Sequence, residues 1–181
     1  NASTQPNVSI PPIVNSTPTP ASTPNPTATL AVTVASTPCK SIFSETDLSA
    51  VFGERAWFIE TKTSIESCLL YADFYGKKTY FGNVNAHDKA YLQVTDESCP
   101  KTNQLENASC KKTLELGDPT YETAIHQAGY NQYSYQFIIK SGSVVAAVYL
   151  TDQNLPKGKD FGASINKENA LALAQRIQKS Q

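Results

Sequence analysis

The chain has 181 residues, with 15 lysines and arginines against 16 acidic residues and a net charge of −1, so no overall field favours nucleic acid or an anionic membrane. Its longest apolar runs, such as Val144 to Leu150, are too short to span a bilayer. Four cysteines, two histidines and no methionine leave little inventory for a metal centre and read as a processed, exported product.

Residues 1–38 hold most of the 11 prolines, spaced among serine, threonine, asparagine and alanine. Such a stretch cannot bury enough apolar surface to offset its ordering entropy. It is expected to be an extended stalk, reaching on the order of 100 Å if polyproline-like. Sequons at Asn1, Asn7, Asn15 and Asn107 make these asparagines candidates for glycosylation. Within the stalk, Leu30-Ala-Val-Thr-Val34 alternates, so Leu30, Val32 and Val34 form a candidate docking strand for a sheet edge.

The folded part is expected over 39–181, an α+β domain built mainly on an antiparallel sheet of hairpins. Ser44 can cap a first helix with Asp47 three residues later, Phe43 and Leu48 stand at staple positions, and Gly53 stops it. Arg55 to Thr61 and Ile65 to Tyr75 then read as a hairpin, turning around Lys62 to Ser64, with Cys68 facing inward. Thr79 to Phe81 reads as a short strand, Asn83 to Lys89 as a polar loop, and Lys89 to Thr95 as a further strand.

Cys99 and Cys110 bracket a polar segment, and their nearness in sequence makes a local bridge the cheapest pairing. Of the possible connectivities we therefore take Cys39 with Cys68 and Cys99 with Cys110, each contributing about 3 kcal/mol. Asp118 to Gly129 carries a capping aspartate, a first-turn proline and a terminal glycine, the pattern of a short helix. Tyr130 to Lys140 and Ser143 to Leu150 form the clearest hairpin, turning at Ser141-Gly142. In the last segment, Ala170, Leu173, Ala174 and Ile177 recur at helical spacing, so an amphipathic helix from Asn166 to Lys179 should pack on the sheet.

No motif here carries chemistry. His87 and Asp88 are adjacent and cannot face each other as an oriented base requires, and His126 lacks the second histidine of a helical metal pair. Lys157 to Gly162 has two glycines and two lysines without the spacing of a phosphate loop, and reads as a flexible loop. Tyr130, Tyr133, Tyr135 and Phe137 make an aromatic strand, better suited to a core than to a platform. We expect no catalytic, cofactor-binding or metal-ligating residues.

Pro38-Cys39, the run Asp47 to Gly53, Ser67-Cys68, Leu116 to Asp118 and the closing Ala170 to Ala174 together resemble the small exported domains of the DUF3558 kind, found among bacterial lipoproteins and extracytoplasmic sensor-like domains. The resemblance implies an α+β fold with a disulfide between its first two elements, a membrane-tethered extracellular setting and no catalytic residues to carry over. The functional expectation is a non-enzymatic cell-surface domain on a stalk, acting as a binding or accessory subunit for a protein partner. The alternative is a structural subunit of an extracellular filament or large surface assembly, whose tail docks on a neighbouring copy.

Overall fold

The computed structural model describes residues 41–181, apart from 63–65, 140–141, 143 and 158–160. The chain divides into two units, Asn1–Thr33 and Val34–Gln181, and every described residue lies in the second. Cys39, the sequons at Asn1, Asn7 and Asn15, and the docking positions Leu30, Val32 and Val34 lie outside the described residues.

The described unit is α+β, as its alternating and helical periods require. Helix α1 (Glu45–Phe52) leads into β1 (Ala56–Lys62), β2 (Glu66–Phe74) and β3 (Lys77–Asp88), which form a meander. Helix α2 (Ala90–Thr102) crosses to β4 (Ala108–Thr113), and β5 (Thr120–Gln127), β6 (Tyr130–Ile139) and β7 (Val144–Thr151) meander back toward the start. The two meanders join where β7 pairs with β3, giving one antiparallel sheet in the order β1-β2-β3-β7-β6-β5-β4. Helix α3 (Lys167–Lys179) closes the chain.

Alternation of side chains along each strand divides this sheet into two unlike faces. On the front face Leu70, Phe81, Val84, Phe137, Val148 and Leu150 are buried under α1 and α3, whose Leu48, Leu173 and Ile177 complete the main core. On the back face α2 lays Leu92 and Cys99 against Cys110, Tyr121 and Val145, a smaller core restricted to one half of the sheet.

Local chemistry fixes the helix ends. Ser44 Oγ accepts from Asp47 N at 3.2 Å while Ser44 N donates to Asp47 Oδ2 at 3.0 Å, a reciprocal capping box. Asn166 caps α3 through Asn169 N at 2.8 Å, and Ala170, Leu173, Ala174 and Ile177 form its fully buried stripe. Gly82 is the close point of the central seam: a β-carbon there would stand 2.2 Å from the Tyr149 carbonyl oxygen.

Three expected elements differ. The polar run Asn83 to Asp88 is not a loop but the second half of β3, with Val84 and Ala86 facing the core and Asn83, Asn85 and His87 facing the back. Lys89 to Thr95 is not a strand but the start of α2. Leu92, Thr95 and Cys99 are its buried line at three- and four-residue spacing, Val94 is 60% exposed, and the Asp88 side chain accepts from Ala90 N at 2.9 Å at its entry. The alternation of Ala90, Leu92 and Val94 was too short to separate the two periods.

Asp118 to Gly129 is not a helix; Thr120–Gln127 is β5, and Gly129, at φ 100, turns the hairpin into β6 rather than ending a helix. A proline-led start and a glycine stop also describe a strand between two turns, and pairing with β4 and β6 decides between them.

Candidate binding face

The half of the back face beyond α2 belongs to β1, β2 and β3 and is lined with half-buried aromatic and amide side chains. Trp57 and Tyr71 are direct cross-strand partners, and their rings stack with centroids 6.3 Å apart. Tyr80 meets Tyr71 edge to face at 5.9 Å, and Lys78 Nζ stands 4.0 Å over the Tyr71 ring, a cation–π contact. Asn83 Nδ2 donates to the Tyr80 hydroxyl at 2.8 Å, and Ser67 Oγ donates to Asn85 Oδ1 at 2.6 Å. Tyr149 pairs with Asn83 across the seam, and Ile59, 38% exposed, adds an apolar point on β1. Partial burial raises the Tyr80 and Tyr149 hydroxyls above 10.0, so these two groups stay neutral at physiological pH.

The polar groups elsewhere on the sheet are tied into structure. Glu122, on the front of β5, is ion-paired to Lys167 Nζ at 3.0 Å and Lys111 Nζ at 3.4 Å, and the buried Tyr135 hydroxyl donates to it at 2.9 Å. Burial would raise its carboxyl, but Lys167, Tyr135 and Lys111 outweigh that and hold it below 4.5. Tyr135 is pushed upward by the same burial and by Glu122.

Beneath α2, the Tyr121 hydroxyl donates to Asp96 Oδ1 at 2.6 Å, and burial with that carboxylate lifts it to about 12. His87 lies flat on Tyr91, centroids 3.8 Å apart, and burial lowers it below 6.5 against the opposing pull of Asp88. Each of these shifted groups moves away from neutrality, the reverse of what a general acid or base working near pH 7 needs.

The other sequence-derived candidates are dispersed. Cys99 and Cys110 are bonded, with Cα atoms 5.3 Å apart, and pin α2 to β4. Cys68 is buried on the front of β2 and is not a free thiol. Asn107 is exposed just before β4, a position open to a glycan. His126 is exposed on β5, with Nδ1 2.9 Å from Asn131 Oδ1. Tyr135 and Phe137 are fully buried in the front core, so the aromatic strand β6 offers no platform. Phe161, expected in a flexible loop, packs on Phe52, Phe74 and Phe81 instead.

Among the described residues no three histidine, cysteine or acidic side chains converge as metal ligands, and no helix is long and apolar enough to cross a membrane. Compared with family models, curated proteins and solved structures, the chain matches none of them.

The Trp57–Tyr71–Tyr80 row escaped the sequence reading for a specific reason. Its strands are only partly legible in the sequence, because the polar members Asn83, Asn85 and His87 make half of β3 resemble a loop. Their two-residue spacing around Val84 and Ala86 was the signal available.

Proposed function

We propose that this chain is a non-enzymatic extracellular domain, carried on its Ser/Thr/Pro-rich stalk, that binds a protein partner through the open half of the back face. The observation that carries the reading is the row of Trp57, Tyr71 and Tyr80 outside the footprint of α2. Tryptophan and tyrosine are enriched at protein interfaces because they contribute large rigid contact area with a polar tip. A sheet face bearing neutral amides, with Lys78 over the Tyr71 ring and Asp73 as its cross-strand partner, suits another protein surface better than a charged ligand. The Cys99–Cys110 bond and the oxidised Cys68 support an oxidising compartment, in line with the DUF3558 resemblance.

Trp57 is the only tryptophan of the chain and therefore reports on this face directly. In protein extracted natively from its surface, Trp57 emission should be shielded from acrylamide in the intact particle and quenched after the chain is dissociated. Trp57→Ala with Tyr71→Ala should release the chain from that particle while far-ultraviolet dichroism is retained. Equal quenching in both states, or full retention of the double variant, would sink the reading.

A further inference from the structure

Helix α2 is held to the back face with unequal strength along its length. Its trailing half is fixed covalently by Cys99–Cys110 and by polar bonds: Thr95 Oγ1 donates to Gln136 Oε1, the Tyr121 hydroxyl donates to Asp96, and the Asn103 amide brackets Cys110. The leading turn is held otherwise. Lys89 occupies the N-cap without a side-chain bond, and no acidic residue stands in the first turn. Among the described residues the Asp88 carboxylate, accepting from Ala90 N at 2.9 Å, is the polar link from this turn to β3.

Beneath the turn lies His87. Its ring stacks on Tyr91 with centroids 3.8 Å and planes 8° apart, and its Nε2 is buried with no hydrogen-bond partner among the described residues. Buried polar atoms are nearly always paired, so this nitrogen calls for a reason. A neutral imidazole occupies the seat with one bond missing. An imidazolium would add a charge and a further unmatched donor, and it would lie against the positive end of α2. The surrounding groups offer little compensation. Asp88, on its own strand, attracts the proton but already serves Ala90 N; Tyr91 faces the ring from α2, and Lys89 at the turn adds a second cation. Across the seam β7 presents Val145, and toward β2 the register ends at Ser67 with Asn85. Burial therefore outweighs Asp88 and holds the ring below 6.5.

We propose that the leading half of α2 is an acid-released flap, hinged at the Cys99–Cys110 bond and latched by uncharged His87. Protonation unseats Tyr91 and Leu92 and uncovers Val145 beside the open aromatic half, while the disulfide keeps the flap attached for its return. The free ring titrates near 6.5 and the seated one lower, so the flap is closed above 6.5 and opens as pH falls toward the lower value. The inference goes beyond the partner-binding reading and does not depend on it.

The test measures amide exchange of the full chain at about pH 7.5 and about pH 5.5, corrected for the intrinsic rate, while proton resonances of the His87 ring follow its titration. Val94 and Thr95 report on the flap, and Asn103, whose N–H donates to Cys99 O at 3.2 Å, reports on the hinge. The opening constant at Val94 and Thr95 should rise by up to about tenfold, the ceiling for one proton on a group that titrates near 6.5 when released. Its midpoint should coincide with the His87 titration, Asn103 should not change, and His87→Phe should remove the rise. A rise below about twofold, an equal rise at Asn103, a midpoint apart from the His87 titration, or the same rise in His87→Phe would each overturn the inference.

Discussion

The two margins of the sheet are treated differently by the same chain. At β4 the ladder phase turns Cys110 outward, as at β1 it turns Phe58 outward, but the Asn103 side chain meets Cys110 completely. Its Nδ2 donates to the Cys110 carbonyl at 2.8 Å, and its Oδ1 accepts from Cys110 N at 2.6 Å. One amide thus stands in for a neighbouring strand, and the Cys99–Cys110 bond holds the helix that carries it. At β1 no described group performs that task. The difference teaches that edge protection here is a local device, built from the C-cap of α2, rather than a property of the sheet.

The contrast can be broken most forcefully at its covalent element. Cys99→Ser with Cys110→Ser should cost about 3 kcal/mol in denaturant unfolding, with exchange rising first along β4. An unchanged midpoint would show that the disulfide does not hold that margin closed.

Glu122→Ala should cost about 2 kcal/mol, because the fully buried Tyr135 hydroxyl loses its acceptor and Lys111 and Lys167 lose their shared counter-charge. The pH dependence has a definite sign. Since the folded carboxyl lies below 4.5, its contribution is complete above that value and is lost as pH falls through the lowered folded value. Acid titrations of the native protein and Glu122→Ala should therefore converge at low pH. Parallel curves would refute the assignment.

Asn103→Ala sharpens the comparison most directly. It should cost about 1 kcal/mol and bring exchange at the Cys110 amide to the rate of an open edge, leaving the other margin untouched. If Cys110 remains protected, the amide is not what closes β4.

The smallest effect belongs to His87, at the end of β3 beneath α2. Its folded value lies under 6.5, so protonation opposes folding and stability should decline as pH drops from 6.5 toward that lower value. His87→Phe keeps a flat ring on Tyr91 and should flatten the decline, as thermal melts across this interval would reveal.

Much of the architecture was legible in the sequence. The capping box at Ser44, the buried stripe of α3 and the hairpin of β6 with β7 all announce themselves within a dozen residues, because helix caps and strand alternation are local. The errors came where one residue pattern serves two periods. Leu92 and Val94 alternate like a strand until Thr95 and Cys99 are buried with Leu92. Asp118-Pro119 opens β5 as readily as it would open a helix. The candidate face was the least legible part, since the Trp57–Tyr71 stack depends on the register between two strands and the open area depends on where α2 comes to rest. Neither is written in any single segment.

The seam at Gly82 has an evolutionary corollary. With the Tyr149 carbonyl 2.2 Å from where a methyl would begin, no ordinary drift can replace this residue without prising apart the two meanders. Any sequence that folds to this seven-stranded sheet with the same seam would need a glycine at this mid-strand position.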